Sequence, residues 1–343
     1  MLHERDGVVS GDGLVIKVTV ASDPGSEIRV GGVKAIYGKG VFAAPAVLTA
    51  YENQIEVSNE TTGERIFLTV HRLRNFAGGY RLSIDDNIWF LRDIYNNAGK
   101  YRSIFDNSYL AFLKQVHDTY GTKVHLNLFY ETDGFNLSQL SDEFKEEWKA
   151  QAGWLRLSFH ALGEFPDMPY RTAGYEKVKE DGELVIKEIR RFAGEEVMGP
   201  VTTIHWGELT VEGARAVKDL GYKALLGYFN VDDDLPAVSF YHGVEVRRHL
   251  KKRFVWKDIK QDLVFFRTSI VIDKTDLADI RPHLDGYRQR GGLPPYVDLL
   301  VHEQYYYPFY FNYQPDFRER ILTAVRWAQE NGYTPRFLEE CLL

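Results

Sequence analysis

The sequence predicts an α/β protein: a distorted (β/α)7-type barrel over residues 76–343, preceded by a small all-β, sandwich-like domain over residues 1–75. Three observations predict it. From Tyr80 onward, apolar segments short enough to be strands alternate with amphipathic helical segments. Residues 13–73 carry short strand-like runs between turns and no helical period. Residues 74–79 (RNFAGG) separate the two textures.

In the first part, LVIKVTVAS alternates apolar and polar residues, SEIRVGGVKAIYGKGVFAA carries glycine pairs between β-rich runs, and YENQIEVSNETTGERIFLTVHRL reads as two strands around the turn NETTGE. In the second part the strand candidates are YRLSI, KVHLNLF, WLRLSF, VTTIH, YKALLGY, LVFFRTSIVI and VDLLV. Between them lie NSYLAFLKQVHDTYG, LSQLSDEFKEEWKAQ, YEKVKEDGELVIKEIRRFAG, TVEGARAVKDLG and DFRERILTAVRWAQENG. These show apolar residues at i, i+3 and i+4, and several stop at glycine. Repeated strand–helix alternation implies a parallel sheet with right-handed crossovers, and about seven strands suit a sheet that closes on itself.

Composition narrows the function classes. Of 343 residues, 44% are hydrophobic and 27% charged, which supports a folded core and argues against disorder. Lys and Arg number 42 against 49 Asp and Glu, a net charge of -7, so a nucleic-acid partner is not expected. The one dense basic run, Arg247-Arg248 with Lys251-Lys252-Arg253, reads as a solvated face rather than a basic patch. The single cysteine, Cys341, excludes an intrachain disulfide and a cysteine-based zinc knuckle. The opening MLHERDGVVSGDG has no apolar h-region, and no apolar stretch of about 18 residues occurs, so neither a signal peptide nor a membrane span is expected; the sequence leaves the location open and favours the cytoplasm. The sequence specifies no oligomeric state. Aromatics are 14% of the chain, including 21 Tyr and 21 Phe, a surplus that suits either sugar-ring contacts or core packing.

In strand–helix barrels the working residues follow the C-terminal ends of the strands. Asp85-Asp86 follow YRLSI, His160 follows WLRLSF, His205-Trp206 follow VTTI, and His302-Glu303 follow VDLLV. Four strand ends carrying ionisable residues can share one cleft. One carboxylate of the Asp85-Asp86 pair can hold a metal while the other holds or deprotonates water; the alternative is a helix cap. His160 and Glu164 lie at i, i+4, a chelating pair if HALGE forms a helical turn and a core histidine beside an exposed acid if it does not. His302 reads either as a general acid or as a hydrogen-bonded core histidine. Trp206 is either a rim-packing or a sugar-contacting residue, and the run from Tyr305 to Phe311 (YYYPFYF) is either a sugar subsite or a structural loop. His125, inside KVHLNLF, reads as a core histidine.

Residues 80–340 resemble the polysaccharide deacetylase family. The resemblance is carried in order by Ser83-Ile84-Asp85-Asp86, by Leu157-Ser158-Phe159-His160 with Glu164, by VTTIHWGELTVEGARAVKDLGYKALLGYF, and by VDLLVHE leading to RERILTAVRWAQENGYTPRFLEE. The first part, through EIRVGGV, GVFAAPAVLTAYENQIEV and its following hairpin, resembles the bacterial immunoglobulin-like modules attached to carbohydrate enzymes. The family resemblance implies a metal-dependent hydrolase that deacetylates an N- or O-acetylated carbohydrate. Asp85 is then the general base, and His302 protonates the leaving group. Asp86, His160 and Glu164 hold a divalent metal (zinc, or manganese, cobalt or magnesium), and His205, Trp206 and Tyr305 face the sugar. The sequence departs from the family pattern twice. Glu164 stands where the family has a second histidine, which predicts a formally neutral site less selective for zinc. Thr203-Ile204-His205-Trp206 stand where the family has an arginine that orients the base, leaving His205 or Arg171 to take its place. The rival readings are a non-catalytic carbohydrate-binding protein on a decayed barrel and a glycoside hydrolase.

Overall fold

The computed structural model describes residues 1–232 and 237–342. The chain divides into two compact units. The smaller comprises residues 1–77 and is joined by the C-terminal residues from Leu338 on. The larger runs from Gly78 to Phe337.

The small unit contains β1 (Val8–Ser10), β2 (Gly13–Val20), β3 (Ile28–Val30), β4 (Val33–Lys34), β5 (Ile36–Gly38), β6 (Val41–Leu48), β7 (Glu52–Asn59) and β8 (Glu64–His71). They form two four-stranded antiparallel sheets, ordered β1-β2-β6-β5 and β4-β3-β7-β8. Strand alternation sends Leu14, Ile16, Phe42, Ala44 and Leu48 from one sheet, and Ile28, Val30, Ile55 and Val57 from the other, into one core.

The large unit is mixed α/β. Its parallel sheet has the order β13-β10-β9-β19-β18, built from β9 (Gly79–Asn87), β10 (Val124–Phe129), β13 (Leu155–Ala161), β18 (Ile270–Val271) and β19 (Tyr296–His302). A second sheet, β14-β15-β17-β16, joins β14 (Val201–Thr202), β15 (Ala224–Gly227) and β17 (Leu263–Arg267) in parallel, with β16 (Val255–Asp258) antiparallel at its edge. A short hairpin of β11 (Glu131–Thr132) and β12 (Phe135–Asn136) follows β10, and β20 (Thr334–Pro335) adds to β9. The helices are α1 (Trp89–Asn96), α2 (Ser108–Tyr120), α3 (Lys145–Ala150), α4 (Tyr175–Phe192), α5 (Val211–Asp219), α6 (Val244–Arg253), α7 (Ile280–Gln289) and α8 (Phe317–Glu330). None of the described helices is long and apolar enough to cross a membrane.

Local chemistry explains the boundaries. Asn107 caps α2 by accepting from the Leu110 N–H at 3.0 Å, and Gly121 ends it in the left-handed region at φ 68. Thr210 caps α5 through the Gly213 N–H. Along α4, Val178, Val185, Ile189 and Phe192 form the buried stripe. The apolar run LVFFRTSIVI is two strands. It leaves β15 at Thr268, whose N–H reaches the Gly227 carbonyl, and joins β19 at Ser269, whose N–H reaches the Asp298 carbonyl. This segment carries the chain from one parallel sheet to the other. Between β13 and the segment leading into β14 the backbone bridge is a single pair, Leu157 and Met198, so one continuous closed ladder does not form among the described residues. Side chains span that gap: Ser158 Oγ donates to the Val201 carbonyl, and Thr202 Oγ1 to the Phe159 carbonyl.

A polar belt crosses the interior beneath the strand ends. Arg81 on β9 donates to Asp298 on β19 at 2.8 Å, with both side chains buried, and lies 2.7 Å from His125 Nδ1 on β10. His125 is the core histidine the sequence implied. Burial, with Arg81 and Arg156 nearby, pushes its pKa well below the usual range, so it is neutral. It therefore accepts from Arg81 and donates Nε2–H to Ser158 at 2.6 Å. Replacing Arg81 with Leu strands the Asp298 carboxylate in the core, with Thr268 as its remaining side-chain donor. The expected cost is about 3–5 kcal/mol in chemical denaturation, and the double variant Arg81→Leu/Asp298→Leu should recover much of it. Equal losses in the single and double variants would contradict this account.

Candidate metal and active site

The four strand ends singled out by sequence do meet around one cavity of about 850 Å³, which Asp85, Asp86, His160, His205 and His302 all line. Adjacent residues on a strand point to opposite faces. Asp86 escapes this because its backbone takes φ 63, a turn that brings its side chain to the same cavity as Asp85. Glu303 fixes the junction. Its buried carboxylate accepts from the N–H groups of Ile88 at 2.6 Å, Trp89 at 2.9 Å and Phe90 at 2.6 Å, capping α1 from the end of β19.

Among the described residues, the group able to hold a metal ion is Asp86, His160 and His205. His160 Nε2 lies 3.0 Å from Asp86 Oδ1, His205 Nδ1 lies 3.1 Å from the same oxygen, and the two nitrogens are 3.2 Å apart. Bonds of about 2.0–2.1 Å at tetrahedral angles place neighbouring ligand atoms roughly 3.3 Å apart, so the triangle has the right size. The outer ring nitrogens are also committed. His160 Nδ1 faces the Thr203 carbonyl, and His205 Nε2 lies 3.2 Å from the Glu164 carbonyl. Each carbonyl holds the proton on the outer nitrogen and leaves the inner lone pair aimed at the shared point. The residues present fit a divalent cation.

Glu164, expected to be the third ligand, is not part of this group. The sequence expectation assumed a helical turn, but His160 lies inside β13 and the chain beyond it is irregular. Glu164 is half-buried, lines the cavity, and serves the cluster through its backbone oxygen. His205, expected to face the sugar, stands instead in the group able to hold an ion. Two imidazoles and one carboxylate leave a net positive charge on a divalent ion, so the predicted neutrality and weaker zinc selectivity lose their basis.

Electrostatics separate the two aspartates. Burial opposes charge on Asp86, but hydrogen bonds from His160 and His205 outweigh it and hold the carboxyl well below its ordinary range. Burial raises Asp85, and the charges of His160 and His302 only partly offset it. Burial also works against a proton on His160, yet Asp85 and Asp86 raise its pKa above the usual value, so the point attracts positive charge. Asp85 Oδ1 is oriented by Asn127 Nδ2 at 2.7 Å, and Asn127 is itself held by Thr202 Oγ1 at 3.2 Å. The side chain hydrogen-bonded to Asp85 is thus Asn127, where the sequence offered His205 or Arg171. Arg171 is exposed, with its guanidinium beside Met168.

His302, at the end of β19, has Nδ1 at 3.0 Å from Asp273 Oδ1, and its backbone N–H donates to the same oxygen. Burial works against its charge, but Asp273, with Asp86 and Asp85 beyond, pushes its pKa up to about 10. His302 is consequently protonated at neutral pH, as a proton donor must be. A raised folded pKa contributes stability that is present below the unfolded value of about 6.5 and lost as pH rises through about 10. In Asp273→Asn, histidine NMR titration should place His302 near 6.5 or lower, and the alkaline loss of stability should vanish. An unmoved titration would refute the pairing.

Two residues of this site were not picked from the sequence, Asn127 and Asp273. Asp273 follows the strand Ile270–Val271 and so obeys the strand-end rule that found the others. Asn127 lies inside β10 and gave no signal. The aromatic run divides. Tyr305 and Tyr310 line the cavity, with ring centroids 5.3 Å apart. Tyr306 and Tyr307 pack on Tyr109, while Phe309 and Phe311 are exposed. Trp206, at φ 62 and 37% exposed, stands on the cavity rim beside His205.

No protein-family model matches the chain, and no curated protein matches it. Among solved structures, a 4-alpha-glucanotransferase from Thermococcus litoralis aligns over 78% of this chain and 40% of its own, at 10% identity and a TM-score of 0.44. The chain thus spans less than half the length of that structure.

Proposed function

We propose that the large unit is a metal-dependent hydrolase that deacetylates a carbohydrate, on a distorted barrel of the polysaccharide deacetylase type. The observation that carries this reading is the Asp86–His160–His205 triangle opening on a cavity flanked by Asp85 and His302. An ion held there supplies Lewis-acid polarisation of the acyl carbonyl and charge stabilisation as the oxyanion develops. Asp85, kept in register by Asn127 and raised by burial, accepts the proton of the attacking water. The carbonyl carbon gains the water oxygen, and its bond to the sugar nitrogen or oxygen breaks. His302, kept charged by Asp273, gives its proton to that leaving atom, so acetate and a free amine or hydroxyl result. Trp206 and Tyr305 offer ring faces to the sugar.

The test is acetate release from acetylated oligosaccharides by metal-stripped protein, with zinc, cobalt, manganese or magnesium restored singly. Metal-dependent release is expected, with zinc or cobalt first because two of the three ligands are imidazoles. New reducing ends without acetate would transfer the assignment to glycoside hydrolysis. Saturable sugar binding with no bond cleaved would transfer it to a binding protein.

A further inference from the structure

A second cavity, of about 700 Å³, adjoins the first: Tyr228 and His283 line both. It lies where Tyr228 follows β15 and Arg267 ends β17, on the same strand-end side as Asp86 and His160. Its chemistry differs. Lys251 and Lys252 enter from α6, Arg267 from β17, and Arg290 from the end of α7, while no carboxylate is among the described residues that line it. The basic run that read as a solvated face thus has part of its charge turned into a pocket.

The cations there rest on aromatic faces. Lys251 Nζ lies 4.7 Å from the centre of the Tyr228 ring. Arg267 lies 4.9 Å from Phe254 and 5.7 Å from Tyr287, and Arg290 lies 4.7 Å from that same Tyr287 ring. Two guanidinium groups on one ring repel each other; Arg290 spends one nitrogen on the His283 carbonyl at 3.4 Å, and the ring face occupies none of its other N–H groups. Arg267 spends one nitrogen on the Lys251 carbonyl at 2.8 Å, yet its buried Nε–H has no acceptor among the described residues. Burial and the neighbouring Arg267 charge lower the Lys251 pKa to about 8, with Asp232 opposing. A chain of net charge -7 concentrates positive charge beside its catalytic cavity and holds it against its own repulsion.

We infer that this pocket is an oxyanion subsite of the cleft, and that the acylated sugar entering it carries a phosphate or sulfate ester that docks on Lys251, Arg267 and Arg290. Only the acylated-sugar part rests on the deacetylase reading. Ring-supported guanidinium groups match tetrahedral oxyanions with paired N–H donors, which an uncharged glycan leaves unused.

The first experiment titrates inorganic phosphate, then N-acetylglucosamine 6-phosphate and 6-sulfate, into metal-stripped protein by calorimetry, with chelator present so that no anion binds through metal. Saturable binding that weakens about tenfold or more in Lys251→Ala and in Arg290→Ala supports the subsite. Both positions are at least partly exposed, so neither variant should lose its fold; circular dichroism checks this. No saturable binding, or binding unchanged in the double variant, overturns it. Sugar esters binding more tightly than free phosphate identify a substrate group, whereas equal affinity removes the substrate assignment. With metal restored, acetate release should favour the ester over N-acetylglucosamine about tenfold in kcat/KM, and Arg290→Ala should raise KM with kcat retained. Anion binding without any acetate release would leave the subsite standing and remove the deacetylase reading. Equal release from neutral and anionic sugars would do the reverse.

Discussion

The His205→Ala protein is expected to lose tight divalent-metal binding and acetate release together, while Glu164→Gln keeps both within a few-fold. Loss of an outer partner of a metal ligand alone costs about 10–100-fold in affinity, so removing one of three direct ligands should exceed about 100-fold. The argument is geometric. His205 Nδ1 stands 3.1 Å from Asp86 Oδ1 and 3.2 Å from His160 Nε2, whereas Glu164 meets the cluster through its backbone carbonyl, which the glutamine variant retains. Metal content after dialysis, read by elemental analysis, measures the first effect, and acetate release the second. Because the acidic pair raises the His160 pKa against its burial, protons should compete with the metal, so binding weakens as pH falls. If Glu164→Gln loses the metal and His205→Ala keeps it, the ligand assignment is wrong.

Asp85→Asn is expected to lower kcat by about 10²–10⁴-fold with metal content unchanged. Asp85 lies outside the ligand triangle, and its carboxylate faces the Asn127 amide, so an isosteric amide preserves packing while removing the proton acceptor. Stability should hold or rise, since the wild-type protein buries this carboxylate against a desolvation cost. The companion Asn127→Ala should reduce kcat less and leave metal content intact, because it loosens the base without removing it. Retained turnover in Asp85→Asn would shift proton acceptance elsewhere. Lost metal would mean that Asp85 contributes to the cation site after all.

Much of this site was legible from one rule applied to one pattern. Strands that alternate with helices run parallel, so their C-terminal ends share a side, and Asp85, Asp86, His160 and His302 lie in the last residues of such strands while His205 follows one. The roles within the set were less legible. Glu164 is four residues from His160, a spacing that brings side chains together on a helix but not beyond the end of β13. His205 is 45 residues from His160 in sequence and 3.2 Å away in space. Asn127 orients Asp85 from inside a strand, where the sequence shows only a polar residue among apolar ones. Helix α6 escaped notice because, of its ten residues, only Leu250 is buried, so no apolar stripe marks it.

The sequence by itself determined the mixed α/β texture of the large unit, the β texture of the small one, the position of the central parallel strands, and the inventory of ionisable groups near their ends. Periodicity and turn chemistry are local, and local patterns fix such features. Tertiary structure alone decided which of those groups come within reach of one ion, through the positive φ that turns Asp86 into the cavity and the carbonyls of Thr203 and Glu164 that face the outer histidine nitrogens. It alone decided that LVFFRTSIVI passes from one sheet to the other, and that Lys251 and Arg290, from two distant helices, share a pocket with Arg267. The reason is the same in each case. A metal site, a raised pKa and a charge cluster depend on distances between residues far apart in sequence, and those distances exist only once the chain has folded.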